Sequence, residues 1–122
     1  MGKSTESQID YEDYNMKTHR VVYYKCESEA ALLVDFITHW SSDAHCPDVI
    51  TGWNTEFFDI PYLYNRIIKL YDDKEVKRLS PWRNVYSKEV YMMGRNHQVI
   101  DIQGVSALDY FDLYRKFTYS KQ

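Results

Sequence analysis

The segment from Asp48 to Tyr71 constrains the fold of this chain more than any other. It opens with a short apolar run, Val49-Ile50, which is bounded by turn-forming residues and predicts a buried strand. Gly52 then lets the chain change direction or approach another group closely. A helix is predicted to follow, because apolar residues recur at helical spacing after Pro61. These residues are Leu63, Ile67 and Leu70, with Tyr64, Ile68 and Tyr71 widening the stripe.

Asp59 stands at the predicted start of this helix. Because proline has no N–H to lose in a first helical turn, Asp59-Ile60-Pro61 predicts a helix start with Asp59 at or near the N-cap. A carboxylate therefore lies where a strand end meets a helix start, and ligands collect at such places in α/β folds. Spacing alone leaves two roles open. Asp59 is either a helix cap, or a metal ligand or general base, since carboxylate oxygens suit Mg²⁺ and Mn²⁺.

The residues before this segment complete a strand–helix–strand pattern. Arg20–Cys26 is rich in β-branched and aromatic residues and predicts a strand. Ser28 is a good N-cap for a helix that reaches about Ser42. The pattern predicts an α/β fold with a βαβ unit, whose two strands are parallel and joined by a right-handed crossover.

Composition limits the possible size, compartment and partners of the chain. Its 122 residues, of which 44% are hydrophobic, suit one small folded domain. Residues 1–18 are polar and acidic and predict a mobile or loosely packed lead-in, so the domain is expected over 19–122. The net charge of -3 does not favour nucleic-acid binding by the chain as a whole, so any such binding must come from a local basic patch or a metal site. Cys26 and Cys46 predict reduced thiols in a cytosolic protein, and no membrane span or signal peptide is expected.

Residues 77–97 form a basic tract in an otherwise acidic chain. Flanking strand patterns predict a β-hairpin at about residues 83–102, with its turn at Gly94-Arg95-Asn96. One interpretation is a solvated hairpin whose charges prevent aggregation. The other is a finger that stacks on bases or wedges beside them. The candidate contact residues are Lys88, Tyr91, Met92 and Arg95.

Two other groups of side chains invite a site interpretation. Asp109 and Asp112 resemble paired carboxylates, but we favour Asp112 as a helix cap and Asp109 as a partner of a nearby loop. His39, His45 and Cys46 have spacing that matches no common zinc site, so loop-packed or exposed side chains are expected.

Several separated motifs resemble family B DNA polymerases. The run Thr51–Tyr62, T-G-W-N-T-E-F-F-D-I-P-Y, is similar to the second exonuclease motif of that family, in which an Asn and a short spacer precede an aromatic residue and an Asp. Three further stretches are similar to matching stretches of T-even-like bacteriophage polymerases: 62–66, 77–81 and 105–117. The resemblance covers roughly Val21 to Phe117. Because the motifs occur in the right order, the match is more specific than the Asn-to-Asp spacing alone.

The resemblance implies a partial ribonuclease-H-like (DnaQ-like exonuclease) fold with a protruding hairpin, from the 3′-5′ proofreading domain of a DNA polymerase. It implies that Asp59 is a catalytic metal ligand, that Asn54 and Phe58 line the bound strand, and that the hairpin helps to separate primer from template. Such exonucleases resemble two-metal phosphodiesterases, so Mg²⁺ or Mn²⁺ is expected in the intact parent. The implied partners are single-stranded DNA and primer–template DNA, in the cytoplasm of an infected bacterium.

The resemblance also implies that two of three exonuclease motifs are missing. No Asp-x-Glu pair on a strand is expected before Val21. No Tyr and Asp at helical spacing follow Phe117. The chain alone is therefore expected to bind a cation only weakly and to be inactive. An exposed sheet edge predicts self-association. Alternatives are a non-catalytic single-stranded-DNA-binding module, or another ribonuclease-H-like nuclease completed by a partner chain.

Overall fold

The computed structural model describes residues 5–12 and 18–119. The chain divides into two compact units, residues 1–36 and 37–122, and the division falls within one helix. No helix in the described ranges combines the length and apolar character needed to span a membrane.

The first unit contains an antiparallel pair of strands, β1 (Thr5–Glu12) and β2 (Thr18–Lys25), and the start of helix α1 (Glu29–Trp40). Strand β1 was not predicted, because its residues have low strand propensity and its pairing depends on the β-branched and aromatic partner β2. Asp10-Tyr11-Glu12 lies at its end, so an Asp-x-Glu pattern does occur on a strand here, contrary to expectation. Residues 1–4 and 13–17 of the predicted lead-in lie outside the described residues, and its mobility stays a prediction.

Helix α1 begins as predicted. The Ser28 hydroxyl accepts a hydrogen bond from the Ala31 backbone N–H at 3.1 Å, which satisfies one of the unpaired donors of the first turn. In the first unit, Ala31 and Leu33 of this helix are buried.

The second unit holds the remaining elements in an α/β arrangement of small sheets. In chain order they are β3 (Val49–Gly52), a π-helical segment (Thr55–Asp59), α2 (Ile60–Leu70), α3 (Asp73–Val76), a 3₁₀ turn (Lys77–Leu79), β4 (Val85–Met92), β5 (Arg95–Ile102), β6 (Ser106–Asp109) and α4 (Tyr110–Tyr119).

The predicted βαβ pairing is wrong. Strand β3 pairs in parallel with β6, and β2 pairs with β1. A strand–helix–strand order places its two strands in one sheet only in most cases, and here β2 and β3 belong to different sheets. Strand β3 is also less buried than predicted, because it has a single described neighbour and exposes Val49 and Thr51 on one face.

The core of the second unit joins the end of α1 to α2, α3 and the hairpin. Ile37, Ile67, Val76 and Leu79 are fully buried, and the indole N–H of Trp40 donates to the Leu79 carbonyl at 2.8 Å. The hairpin adds a second group of buried residues: Val85, Val99, Ile100 and Ile102. The predicted apolar stripe of α2 is narrower than expected, since only Ile67 and Pro61 are buried on that helix.

Strands β4 and β5 form an antiparallel hairpin within the range predicted from the sequence. Met92 pairs with Arg95, so the turn consists of Met93 and Gly94, with φ values of 55° and 80°. Two central residues with positive φ match a type I′ turn, whose twist suits antiparallel strands. The predicted turn, Gly94-Arg95-Asn96, is therefore wrong by one to two residues, because Arg95 and Asn96 belong to β5.

Candidate functional site

The parallel pairing of β3 and β6 brings two carboxyl ends of strands together. Gly52, the last residue of β3, is in register with Asp109, the last residue of β6. A Cβ atom at Gly52 would collide with the Thr55 side chain, so the predicted close approach at this glycine is found. The hydroxyl of Thr51 donates to the Leu108 carbonyl at 2.7 Å, which adds a side-chain tie between the strands.

Asp109 organises the loop that follows β3. Only 7% of its surface is exposed. One carboxylate oxygen accepts the N–H groups of Asn54 at 2.8 Å and Phe111 at 3.0 Å, and the other accepts the N–H of Glu56 at 3.1 Å. The expectation that Asp109 bonds a nearby loop is confirmed, and its bond to Phe111 also satisfies a donor at the start of α4.

Asn54 adopts a left-handed conformation with φ 61° and ψ 31°. Asparagine tolerates this region better than most residues. The conformation lets the chain leave β3 and enter the π-helical segment while the Asn54 N–H points at Asp109. Its side chain is half-buried.

Asp59 lies at the end of the π-helical segment, and its side chain is exposed. Helix α2 begins at Ile60 with Asp59 at the N-cap position, as predicted, but the Asp59 backbone is helical and its side chain makes no capping hydrogen bond. The physical reason is that the π-helical segment runs directly into α2: the N–H of Ile60 already donates to the Thr55 carbonyl. The helix start needs no side-chain cap, and the carboxylate faces solvent.

Phe58 precedes Asp59 and is 62% exposed. Its ring is parallel to that of Tyr62 within 11°, with 6.4 Å between the centroids. Tyr62 is also exposed, so two aromatic side chains form an exposed apolar surface where the π-helical segment meets α2.

Glu56 joins Asp109 and Asp112 in a group of carboxylates that sequence reasoning did not assemble. One ligand oxygen from each lies within 4.8 Å of the others, so the group could hold a cation. Burial raises the pKa of the Glu56 carboxyl, a hydrogen bond and the charge of Asp112 raise it further, and the charge of Lys88 lowers it. Asp112 lies inside the first turn of α4 rather than at its cap, so that prediction is wrong. One signal in the sequence could have identified Glu56 as a site residue. It lies two residues after Asn54, inside the same motif.

A cleft of about 190 Å³ is lined by Glu56 and by residues of the hairpin. Lys88 of β4 also lines it, and apolar residues of β3, β5 and β6 form much of the rest. Lys88 is otherwise exposed on β4. Neither Asp59 nor Phe58 lines the cleft, so the predicted site residues divide between two surfaces.

The hairpin presents the remaining predicted contact residues near its turn. Tyr91 is 73% exposed, and Met92 and Arg95 are exposed beside it. The sulfur of Met93 lies 3.4 Å from a guanidinium nitrogen of Arg115, which itself lies over the Phe111 ring of α4. The turn is thus in contact with α4.

Much of the basic tract is engaged locally. Lys77 pairs with Asp73 at 3.0 Å, and Arg78 pairs with Glu75 at 3.0 Å. Arg83 donates to the carbonyls of Arg78 and Ser80. Lys88 and Arg95 are therefore the basic residues of this tract whose exposure suits an external anion.

Two further predictions concern histidine and cysteine. The rings of His39 and His45 stack with centroids 3.9 Å apart, and His45 contacts the Ser42 hydroxyl at 3.2 Å. Among the described residues, the carboxylates Glu56, Asp109 and Asp112 are the one group of three or more histidine, cysteine or acidic side chains close enough to hold a metal ion, and neither histidine belongs to it. Cys26 and Cys46 are free thiols, as predicted.

Comparison with known proteins identifies the family. Residues 2–122 match the family described as DNA polymerase family B, exonuclease domain. The chain is 39% identical over 103 residues to a DNA-directed DNA polymerase of Escherichia phage RB69, and 39% identical over 101 residues to that of Enterobacteria phage T4. These alignments cover 84% and 83% of the chain. A DNA polymerase of guinea pig cytomegalovirus is 42% identical over 48 residues, which is 39% of the chain and 4% of that protein.

The chain spans 11% of the length of each phage relative. Its match to the family covers nearly every residue, and the phage polymerases align with most of it. The chain therefore belongs to the exonuclease domain of family B DNA polymerases, as a piece of a phage-type polymerase.

Proposed function

We propose that this chain is part of the 3′-5′ proofreading exonuclease of a DNA-directed DNA polymerase, with a ribonuclease-H-like fold. Asp59 supplies one carboxylate of the catalytic metal site, and Asn54 and Phe58 contact the single-stranded 3′ end. The parent acts on primer–template DNA in the cytoplasm of its bacterial host.

The observation that carries this proposal is the division of roles within one short loop. Backbone bonds from Asn54 and Glu56 to the buried Asp109 hold the loop in place. Phe58 and Asp59 remain exposed at its far end. A rigidly held loop with an exposed ring and carboxylate is suited to stack on a base and bind a cation beside the phosphate.

The chemistry of Asp59 fits Mg²⁺ or Mn²⁺, because its carboxylate oxygens are hard ligands that make no capping bond. One carboxylate does not complete such a site, so the other ligands are supplied by the remaining exonuclease motifs of the parent polymerase. When bound, the ions activate water and stabilise the leaving 3′ oxygen. Asp59 contributes negative charge and orientation, and Phe58 keeps the terminal base in place.

The test uses the full-length polymerase that contains this chain. Asp59→Ala is expected to lower hydrolysis of single-stranded 3′ ends by about a hundredfold or more, because a metal ligand stabilises charge in the transition state. Polymerisation on a matched primer is expected to persist. Asp43→Ala removes another exposed carboxylate and serves as the control. Unchanged hydrolysis in Asp59→Ala would reject the role of Asp59.

The 122-residue chain alone is expected to show no nuclease activity above background with Mg²⁺ or Mn²⁺, because Asp59 and the Asp-x-Glu pattern of β1 still lack the Tyr and Asp of the third motif, and an incomplete ligand set holds an ion weakly. Asp10→Ala tests the unexpected Asp-x-Glu pattern of β1. Activity of the isolated chain that is lost in both Asp10→Ala and Asp59→Ala would contradict the proposal of an inactive piece.

A second candidate function is binding of single-stranded DNA without chemistry. Exposed Lys88, Tyr91, Met92 and Arg95 on the hairpin favour it. Binding by the isolated chain that survives Asp59→Ala, weakens with salt and falls in Arg95→Ala would support this function. A nuclease completed by a different partner chain is the less favoured alternative, since the family match is to a polymerase domain.

Self-association is a separate proposal. The two-stranded β3–β6 sheet leaves unpaired edges within the described part of the chain. A second copy pairing with such an edge predicts a dimer in sedimentation velocity whose population rises with concentration. A monomer at all concentrations would reject it.

A further inference from the structure

Two consecutive residues of β5 connect the hairpin to the loop that carries Asp59. The ring of His97 stacks on Phe57 of the π-helical segment, with centroids 4.4 Å apart and an angle of 17°. The amide of Gln98 forms two hydrogen bonds with that of Asn65 on α2. Asn65 Nδ2 donates to Gln98 Oε1 at 2.8 Å, and Gln98 Nε2 donates to Asn65 Oδ1 at 3.2 Å.

The two contacts constrain more than a single contact would. Successive side chains of a strand leave on opposite faces, so His97 and Gln98 together oppose rotation of β5 about its own axis. Gln98 Nε2 also donates to the Ser87 hydroxyl at 3.0 Å, and Ser87 belongs to β4. Both strands of the hairpin are therefore connected to α2.

His97 also reaches the end of the hairpin. Its Nε2 lies 3.1 Å from the carbonyl oxygen of Met92, the last residue of β4 before the turn. The imidazole thus contacts Phe57 on one side and the entry to the turn on the other. Phe57 is the immediate neighbour of Phe58 and lies two residues before Asp59. A short path of contacts leads from the candidate site to the hairpin turn.

We propose that the Phe57–His97 stack and the Asn65–Gln98 amide pair fix the hairpin turn relative to the Asn54–Asp59 loop. His97 and Gln98 are then positioning residues. They hold the exposed Tyr91 and Met92 where the hairpin can keep an unpaired 3′ end apart from its template and directed to Asp59. This second statement rests on the proposed function, whereas the positioning of the turn does not.

The first experiment measures position without activity. Nitroxide labels are attached at Arg95→Cys and Lys69→Cys in a chain with Cys26→Ser and Cys46→Ser. Double electron–electron resonance is expected to give one narrow distance distribution for this parent chain. His97→Ala combined with Gln98→Ala is expected to broaden the distribution, while Asn96→Ala, an exposed neighbour in β5, leaves it narrow.

Folding is monitored in the same samples by tryptophan fluorescence, because Trp40, Trp53 and Trp82 all lie in the second unit. If the double variant unfolds, Asn65→Ala and Gln98→Ala are measured singly and together. A direct amide pair predicts that the second substitution broadens the distribution no further. Broad distances in the parent chain, or narrow ones in the folded variants, would overturn the positioning.

The second experiment uses the full-length polymerase and two substrates. In the His97→Ala, Gln98→Ala variant, hydrolysis of single-stranded DNA is expected to stay near the parent rate. Hydrolysis at a mispaired primer end is expected to fall by about tenfold, since misplaced groups far from the chemistry lower rates strongly. Asn96→Ala is again the control.

The outcomes separate the two proposals. An inactive parent polymerase would reject the proofreading function and leave the distance result to decide the positioning. Equal loss on both substrates, or no loss on either, would reject the role of His97 and Gln98 in directing the 3′ end.

Discussion

Asp109 and Asp59 are chemically identical side chains near one strand junction, yet their surroundings are opposite. Asp109 is buried and accepts three backbone N–H groups. Asp59 is exposed and caps nothing. The comparison teaches that the carboxylate with the most partners stabilises the loop, whereas the carboxylate with the fewest remains available for a ligand. Asp59, the proposed metal ligand, is thus distinguished from Asp109 by the capping bond that it does not make.

The largest expected effect is the loss of stability when the buried Asp109 is replaced. Asp109→Ala leaves the N–H groups of Asn54, Glu56 and Phe111 without their acceptor, which is expected to lower the free energy of unfolding by about 3 kcal/mol. Denaturant titration followed by tryptophan fluorescence measures the second unit. Asp112→Ala, which removes a carboxylate with greater exposure, is the control. A loss below that of Asp112→Ala would contradict the structural role of Asp109.

The next prediction compares the stability cost of an alanine at two glycines, Gly104 after the end of the hairpin and Gly94 in its turn. Gly104 and Gly94 have φ values of 87° and 80°, but a Cβ at Gly104 would lie 2.6 Å from Pro81 Cγ, whereas nothing lies within 4 Å at Gly94. Gly94→Ala is expected to cost about 1 kcal/mol through its backbone conformation alone. Gly104→Ala is expected to cost more, about 2 kcal/mol or above, because Pro81 must also move. Thermal melting of both variants measures the difference, and equal losses would show that Pro81 yields freely.

A smaller effect concerns pH. Because burial and Asp112 raise the pKa of Glu56, the folded chain binds this proton more tightly than the unfolded chain. The resulting stabilisation is full below the unfolded pKa and is lost as the pH rises through the folded pKa. Glu56→Gln is therefore expected to remove this loss and to raise stability near neutral pH by about 0.5 kcal/mol, after allowance for solvent screening. Unfolding titrations across the acidic range measure it, with Glu89→Gln controlling for net charge. A steeper pH dependence in Glu56→Gln would contradict the assignment.

The smallest expected effect is the change in stability when the exposed Asp59 is replaced. Asp59→Ala is expected to change the free energy of unfolding of the isolated chain by less than about 0.5 kcal/mol, because no capping bond is lost. The same denaturant titration measures it. A loss near 1 kcal/mol, typical of a removed N-cap, would restore the role of Asp59 as a cap.

The sequence predicted local features well and partners poorly. The Ser28 cap, the strand at Val49 and the hairpin follow from propensity and turn chemistry, which depend on adjacent residues. The pairing of β3 with β6 joins residues more than fifty positions apart, and no periodicity specifies it. Strand β1 was missed for the same reason, since its partner rather than its composition makes it a strand.

The candidate site follows this rule. The motif directed attention to Asn54, Phe58 and Asp59, which lie in one continuous segment. Glu56 was missed, because its raised pKa is caused first by burial and then by Asp112, and both arise only in the folded junction. His97 was missed because its contact with Phe57 joins a hairpin to a loop forty residues away in the chain.

The contact between the Met93 sulfur and Arg115 has a chemical consequence. Exposed thioethers are oxidised to sulfoxides, which are polar and reversible by reductases. Peroxide would therefore alter the hairpin turn before it reached the aliphatic interior, and the new sulfoxide oxygen would be a stronger acceptor for the guanidinium than sulfur is. Oxidation of the exposed Met92 and Met93 is therefore expected to alter the part of the hairpin that we propose contacts DNA.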